Sequence, residues 1–136
     1  MMSNCTGGMV VLTGASSGIG LAMTKALLSN GYSVTGIARS FDAGVINSEN
    51  FEAVTLDLSE LDLLSKRLGE IISEISIPIR AVVHNAGFGK FASVEQLSVP
   101  DMKLVMETNF LSHAVVTKVF LPILKRQDTL ADIVFM

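Results

Sequence analysis

The stretch Thr13-Gly14-Ala15-Ser16-Ser17-Gly18-Ile19-Gly20 has the residue types and spacing to hold a phosphate. It follows an apolar run, Met9-Val10-Val11-Leu12, and opens into a segment of helical periodicity. Glycines at a strand-to-helix turn permit backbone shapes and close approaches that a Cβ forbids. Backbone N–H groups at the helix N-terminus then face an anion. The pattern Gly-x-x-x-Gly-x-Gly reads as a dinucleotide turn. Gly14 makes the tight turn, Gly18 lets the backbone reach a pyrophosphate, and Gly20 lets the helix pack closely on the sheet. Ser16 and Ser17 add hydroxyl donors for phosphate or ribose. The competing reading is a turn with a purely structural purpose.

Ile37-Ala38-Arg39-Ser40 ends the second apolar run. A carboxylate there would bind the ribose 2′-hydroxyl of NAD and repel a 2′-phosphate. A guanidinium attracts that phosphate and bonds to it bidentately. Arg39 therefore argues for NADP(H) over NAD(H), against the simpler reading of a solvated arginine. Asp57 follows the third apolar run, at the adenine end of the same crevice. Its carboxylate is suited to an exocyclic amine, or equally to a turn at a helix start; both readings stay open. His84 and His113 lack metal-ligand spacing and a carboxylate neighbour in sequence, so both read as structural. Cys5 reads as incidental.

The elements that position these residues alternate. Strands are expected at Met9–Leu12, Tyr32–Ala38, Glu52–Leu56, Ile79–Val83 and Asp132–Met136. Helices are expected at Ile19–Asn30, at 60–76 after a Ser59 cap, and from a Ser98-Val99-Pro100-Asp101 capping box to about Arg126. Ile19, Ala22, Met23, Ala26 and Leu27 form the expected buried face of the first helix. Asn30-Gly31 ends it, and Pro122 should kink the last. Strand–helix alternation with continuously apolar strands means a parallel α/β sheet. We expect a doubly wound, Rossmann-type sheet, five strands in order 3-2-1-4-5, in one dinucleotide-binding domain over 1–136 that is C-terminally incomplete. The switch point brings Gly14 and Gly87 to one crevice.

The 136 residues are 49% apolar and 17% charged, enough for a core and against disorder. The net charge of −3 comes without a basic stripe, against a nucleic-acid partner. No run is apolar enough to span a membrane, and no signal peptide precedes Met9. With a single cysteine, the expectation is a cytoplasmic protein.

The glycine turn, then Asp57-Leu58, then Asn85-Ala86-Gly87, then Asn109 in Glu107-Thr108-Asn109-Phe110 resemble the short-chain dehydrogenase/reductase family. The turn matches that family's TGxxxGxG and residues 85–87 its NAG segment. The resemblance covers the whole chain but only the first half of a usual member. It implies an NADP(H)-dependent oxidoreductase that interconverts carbonyl and alcohol by hydride transfer. It implies that Gly14, Gly18, Ile19 and Gly20 line the pyrophosphate, that Arg39 holds the 2′-phosphate, and that Asp57 and Leu58 contact adenine. Asn85, Ala86 and Gly87 would pass beside the ribose and stabilise the central strands. Asn109 would be a catalytic asparagine, holding a helix bend and a water of the proton relay. By itself it reads as a surface helix residue. A homo-oligomer and a small carbonyl or alcohol substrate are the implied partners.

Departures from the family pattern limit the expectation. The family needs a serine after the fifth strand and a Tyr-x-x-x-Lys whose lysine lowers the tyrosine pKa. The one tyrosine is Tyr32, with Gly36 four residues on, and the chain ends at Met136. This chain alone is therefore expected to be inactive. His84 stands where an asparagine is common, and Ser17 where NADP-preferring members often carry a basic residue. The alternatives are a non-catalytic NADP(H)-binding module and a gene fragment without function. The apolar Ile133-Val134-Phe135 run of the last strand would be an unprotected edge, which favours part of an enzyme over a purpose-built module. The substrate is not legible; Phe88-Gly89-Lys90-Phe91 reads either as part of the lining of its pocket or simply as a loop tip.

Overall fold

Short apolar runs pair into one parallel sheet. The computed structural model describes residues 6–136, so Cys5 lies outside the described residues. Its strands are β1 (Met9–Thr13), β2 (Ser33–Ala38), β3 (Phe51–Thr55), β4 (Ile79–His84) and β5 (Asp132–Phe135). They lie in the order β3-β2-β1-β4-β5, as expected, and every pairing is parallel. The order reverses between β1 and β4, so the chain turns leaving these two strands stand side by side.

Period-two alternation decides which side chain meets which layer. Met9 and Val11 join Ile37, Ile79 and Val82 on the face covered by α2 (Leu61–Glu74) and α4 (Ser112–Arg126). Leu64, Leu68 and Ile71 of α2 and Val116 and Phe120 of α4 complete that layer. Val10, Leu12 and Val34 point the other way, towards Met23, Leu27 and Leu28 of α1 (Gly18–Ser29).

The face of α1 differs from the expected one by a residue. Gly20 and Thr24 are its buried positions, whereas Ile19 is exposed, as are Ala22 and Ala26. The cause is steric. A Cβ on Gly20 would stand 1.9 Å from the Gly14 carbonyl oxygen, so Gly20 is the point of closest approach and sets the helix rotation. Thr24 then fits the same face by bonding its hydroxyl back to the Gly20 carbonyl at 2.9 Å.

Two further expectations change in detail. Ser59 does not cap α2; its hydroxyl donates to Asp57 Oδ1 at 2.7 Å, and the helix starts two residues later. Ser98 does cap α3 (Val99–Met106), accepting from the Asp101 N–H at 3.2 Å with Pro100 in the first turn. The long helix runs through Pro122 to Arg126. It follows a π-helical turn at Glu107–Leu111, which joins α3 to it.

Gly20→Ala is expected to lower unfolding free energy by about 2 kcal/mol or more, because backbone has to move to admit the methyl. Gly69→Ala, where a Cβ on α2 meets nothing, should stabilise by about 0.5–1 kcal/mol. Urea denaturation of both variants checks this pair; equal effects would remove the steric account of α1.

Candidate functional site

Thr13 is the last residue of β1, and its buried hydroxyl joins the two chain turns at the switch point. Its Oγ1 accepts from the N–H of Asn85 at 3.1 Å and of Ala86 at 3.0 Å, and donates to the Val83 carbonyl at 3.4 Å. One donor and both lone pairs are thereby used. Asn85 reaches back, with Nδ2 donating to the carbonyls of Thr13 at 3.3 Å and Gly14 at 3.2 Å. The end of β4 is thus fixed against the turn after β1.

That turn takes a form a side chain resists. Gly14 has φ +69° and Gly18 φ +50°. The Gly14 N–H donates to the Ile37 carbonyl at 2.8 Å, folding the turn over β2. Ser17 stands at the cap position of α1 without a side-chain bond to the helix, and the first turn has no acidic residue. The N-terminal N–H groups of α1 are therefore left with their partial positive charge unopposed.

Above these turns lies a crevice of about 740 Å³. Gly14, Ser16, Ser17 and Ile19 line it from β1 and α1, Arg39 from β2, Asp57 and Leu58 from β3, and Asn85, Ala86 and Gly87 from β4. Ten of the predicted site residues therefore share one cleft. Gly18, Gly20 and Asn109 are not on its wall; Gly20 sits beneath the turn, against Gly14 and Asn85. Arg39 is exposed and also borders a second depression of about 360 Å³ with Asp57, Glu60 and Arg67. Asp57 builds a turn and also faces the crevice. Its Oδ1 builds a turn by accepting from the Ser59 N–H at 2.9 Å, and the residue still lines the crevice.

Asn109 lies in the π-helical turn and clamps the loop after β4. Its Oδ1 accepts from the Phe88 N–H at 3.0 Å and its Nδ2 donates to the Phe88 carbonyl at 2.7 Å. A Cβ on Gly87 would fall 3.1 Å from Asn109 Oδ1. In the same loop Lys90 Nζ donates to Asp101 Oδ1 at 2.6 Å, which, with the Ser98 hydroxyl, holds the Asp101 carboxyl below its usual range.

His84 is fully buried at the end of β4, its ring stacked on Phe135 at 4.5 Å between centroids. Its Nε2 lies 3.0 Å from Thr117 Oγ1, while Nδ1 has no partner among the described residues. An orphan lone pair costs less than an orphan N–H, so we assign the tautomer with Nε2–H donating to Thr117. Burial pushes the imidazole down to about 4, and His113 nearby adds to the effect. His113 in turn sets Nε2 2.9 Å from the Ala86 carbonyl. Each histidine ties β4 or its following loop to α4.

Thr13 was not singled out by sequence reasoning, nor was Gln127. Thr13 stands in plain view before the glycine turn, but its partners are some seventy residues away. Gln127 clamps the backbone of Ile79, accepting at 3.1 Å and donating at 2.7 Å, from beyond the end of α4. Neither has a local signature.

The sequence profile described as short chain dehydrogenase matches residues 8–136. A probable short-chain type dehydrogenase/reductase, VdlC of Helicobacter pylori, is 35% identical over 123 residues, covering 88% of this chain and 44% of the relative. A short-chain dehydrogenase from Streptomyces avermitilis superposes with a TM-score of 0.84 at 21% identity, covering 96% of this chain and 48% of that one. The NADP-bound structure of ElxO superposes with a TM-score of 0.81 at 22% identity, covering 93% and 54%. The chain thus spans less than half the length of the curated relative described here.

Unfolded, a histidine titrates near 6.5; folded, His84 titrates at about 4. Between these values the unfolded chain holds the extra proton. Stability should therefore fall as pH drops from 6.5 towards 4, by at most about 1.4 kcal/mol per unit from this residue. His84→Phe keeps a ring on Phe135 and should flatten that slope in urea titrations at successive pH values. An unchanged slope would assign the acid sensitivity elsewhere.

Proposed function

The chain belongs to the short-chain dehydrogenase family, and we propose that it is the cofactor-binding part of an NADP(H)-dependent oxidoreductase acting on a carbonyl or alcohol. The observation that carries the reading is the crevice at the β1/β4 switch point. It combines an uncapped helix N-terminus without acidic residues, a glycine turn, and an exposed arginine at the end of β2. That donor set fits a dinucleotide with a 2′-phosphate. In this reading Gly14, Ser16, Ser17, Gly18, Ile19 and Gly20 form the pyrophosphate turn, and Arg39 holds the 2′-phosphate. Leu58 and the second carboxylate oxygen of Asp57 border the adenine. Asn85, Ala86 and Gly87 pass beside the ribose. When bound, the nicotinamide supplies the hydride.

Asn109 takes the role of the catalytic asparagine in this reading, and its clamp on Phe88 supports it by holding the loop beside the crevice. The proton donor is not Tyr32. That residue precedes β2, at the opposite end of the sheet from the crevice, with its ring packed against Gly7. We therefore assign the proton donor to sequence outside these residues and read 1–136 as one incomplete dinucleotide-binding domain. The alternatives of a non-catalytic module or a functionless fragment gain no specific support from the site. Among the described residues no helix is long and apolar enough to cross a membrane. A cytoplasmic homo-oligomer remains part of the proposal.

Titration by fluorescence should find NADPH bound more tightly than NADH. Arg39→Ser should weaken NADPH about tenfold or more, the size of a charge-assisted contact, and leave NADH within about twofold. Equal affinities in the native chain would overturn the coenzyme assignment. Incubated with NADPH and a broad set of carbonyl compounds, the chain should show no oxidation of NADPH; turnover would overturn the assignment of the proton donor.

A further inference from the structure

The helix that begins in the π turn meets β4 and its loop through a ladder of polar bonds. Asn109, His113 and Thr117 are four residues apart, and their partners Phe88, Ala86 and His84 are two apart in the opposite direction. Four residues of helix rise about 6 Å and two of extended chain about 6.6 Å. The two repeats therefore stay in step over three rungs, and Gln127 on Ile79 closes the far end. Asn109 and Gln127 each hold a backbone N–H and a carbonyl together. His113 holds a carbonyl alone, that of Ala86, whose residue lines the crevice.

Ala86 is pinned on its other side too, since its N–H donates to Thr13 Oγ1. Among the described residues, its carbonyl is the one polar backbone group between that anchor and the Asn109 clamp at Phe88 for which a bond is seen. Without it the peptide linking Ala86 to Gly87 is free to rotate, and Gly87 offers no Cβ to resist. The bond requires a proton on His113 Nε2, because a carbonyl only accepts. That requirement fixes the tautomer and leaves a lone pair on Nδ1 of the neutral ring.

We propose that His113 is a positioning residue of the crevice, an Nε2–H donor that fixes the Ala86–Gly87 peptide in the orientation that receives the cofactor ribose. This role rests on the dinucleotide reading for its consequence but not for its geometry. It also separates the rungs by purpose. The Thr117–His84 bond lies within the packed layer and supports the fold, whereas the His113 bond shapes the wall of the crevice.

The test compares His113→Leu, His113→Gln and Thr117→Val in NADPH titrations, with unfolding midpoints measured alongside. His113→Leu should weaken NADPH about fivefold, the loss of one neutral hydrogen bond. His113→Gln, which keeps an N–H donor, should stay within about twofold of the native chain. Thr117→Val should lower the unfolding midpoint and leave the affinity unchanged. Equal losses in the Leu and Gln variants, or none in either, would overturn the proposal. Ring nitrogen NMR of the native chain provides an arm free of variants and ligand: His113 should carry its proton on Nε2, and the Nδ1–H tautomer would overturn it. The Gly87 amide nitrogen shift should move in His113→Leu and not in Thr117→Val. If the native chain binds neither NADPH nor NADH, the dinucleotide reading falls, while these NMR arms still decide whether His113 holds the peptide.

Discussion

Everything at the switch point depends on the convergence of Thr13, Gly14, Gly20 and Asn85. The Thr13 hydroxyl gathers two N–H groups from the chain leaving β4, and the Asn85 amide returns two bonds to the chain leaving β1. Gly20 lies so close to Gly14 and Asn85 that no side chain fits. Buried polar groups of this kind are costly unless all are satisfied. Here they satisfy one another across two strands, so the turn after β1 and the loop after β4 hold a single relative position. The crevice takes its shape from that position.

The sheet and its helices supply the frame within which those bonds form. Alternation along β1 sends Met9 and Val11 to one layer and Val10 and Leu12 to the other, so both faces are packed. On one face the segments flanking α4 are tied to β4 and to the loop after it, by Asn109 on Phe88 and by Gln127 on Ile79. Eighteen residues of helix rise about 27 Å and nine of extended chain about 30 Å, so the two amides reach matching positions. The π-helical turn at Glu107–Leu111 contains Asn109 and gives the helix its local irregularity there. The sheet ends at β5, where Phe135 is exposed on one side of its ring stack with His84.

Much of this was legible in residue order. Every strand and helix falls within a few residues of its expected place, and the strand order follows from handedness and alternation. The family emerges from the glycine turn, the segment at 85–87 and Asn109, and the sequence profile agrees. The misses have two causes, local contacts that residue type does not announce and partners far along the chain. Apolar periodicity points to one face of α1, yet the helix is rotated by the contact of Gly20 with Gly14, and glycine carries no weight in such a pattern. Ser59 has the residue type of a cap, but Asp57 two residues earlier takes its hydroxyl. Thr13, His113 and Gln127 bond to partners far along the chain, where residue type and spacing hold no information about contact.

The sequence by itself determined the alternation of elements, the class of turn after β1 and the charge at Arg39, because each is set by residues within one turn or strand of one another. Only the tertiary structure decided how α1 sits, which group each histidine touches, and that Asp57 both builds a turn and lines the crevice. The histidine contacts join residues distant in the chain and exist only once α4 packs on the sheet, whereas the seat of α1 and the two roles of Asp57 turn on steric fit and bond geometry that residue type alone does not fix.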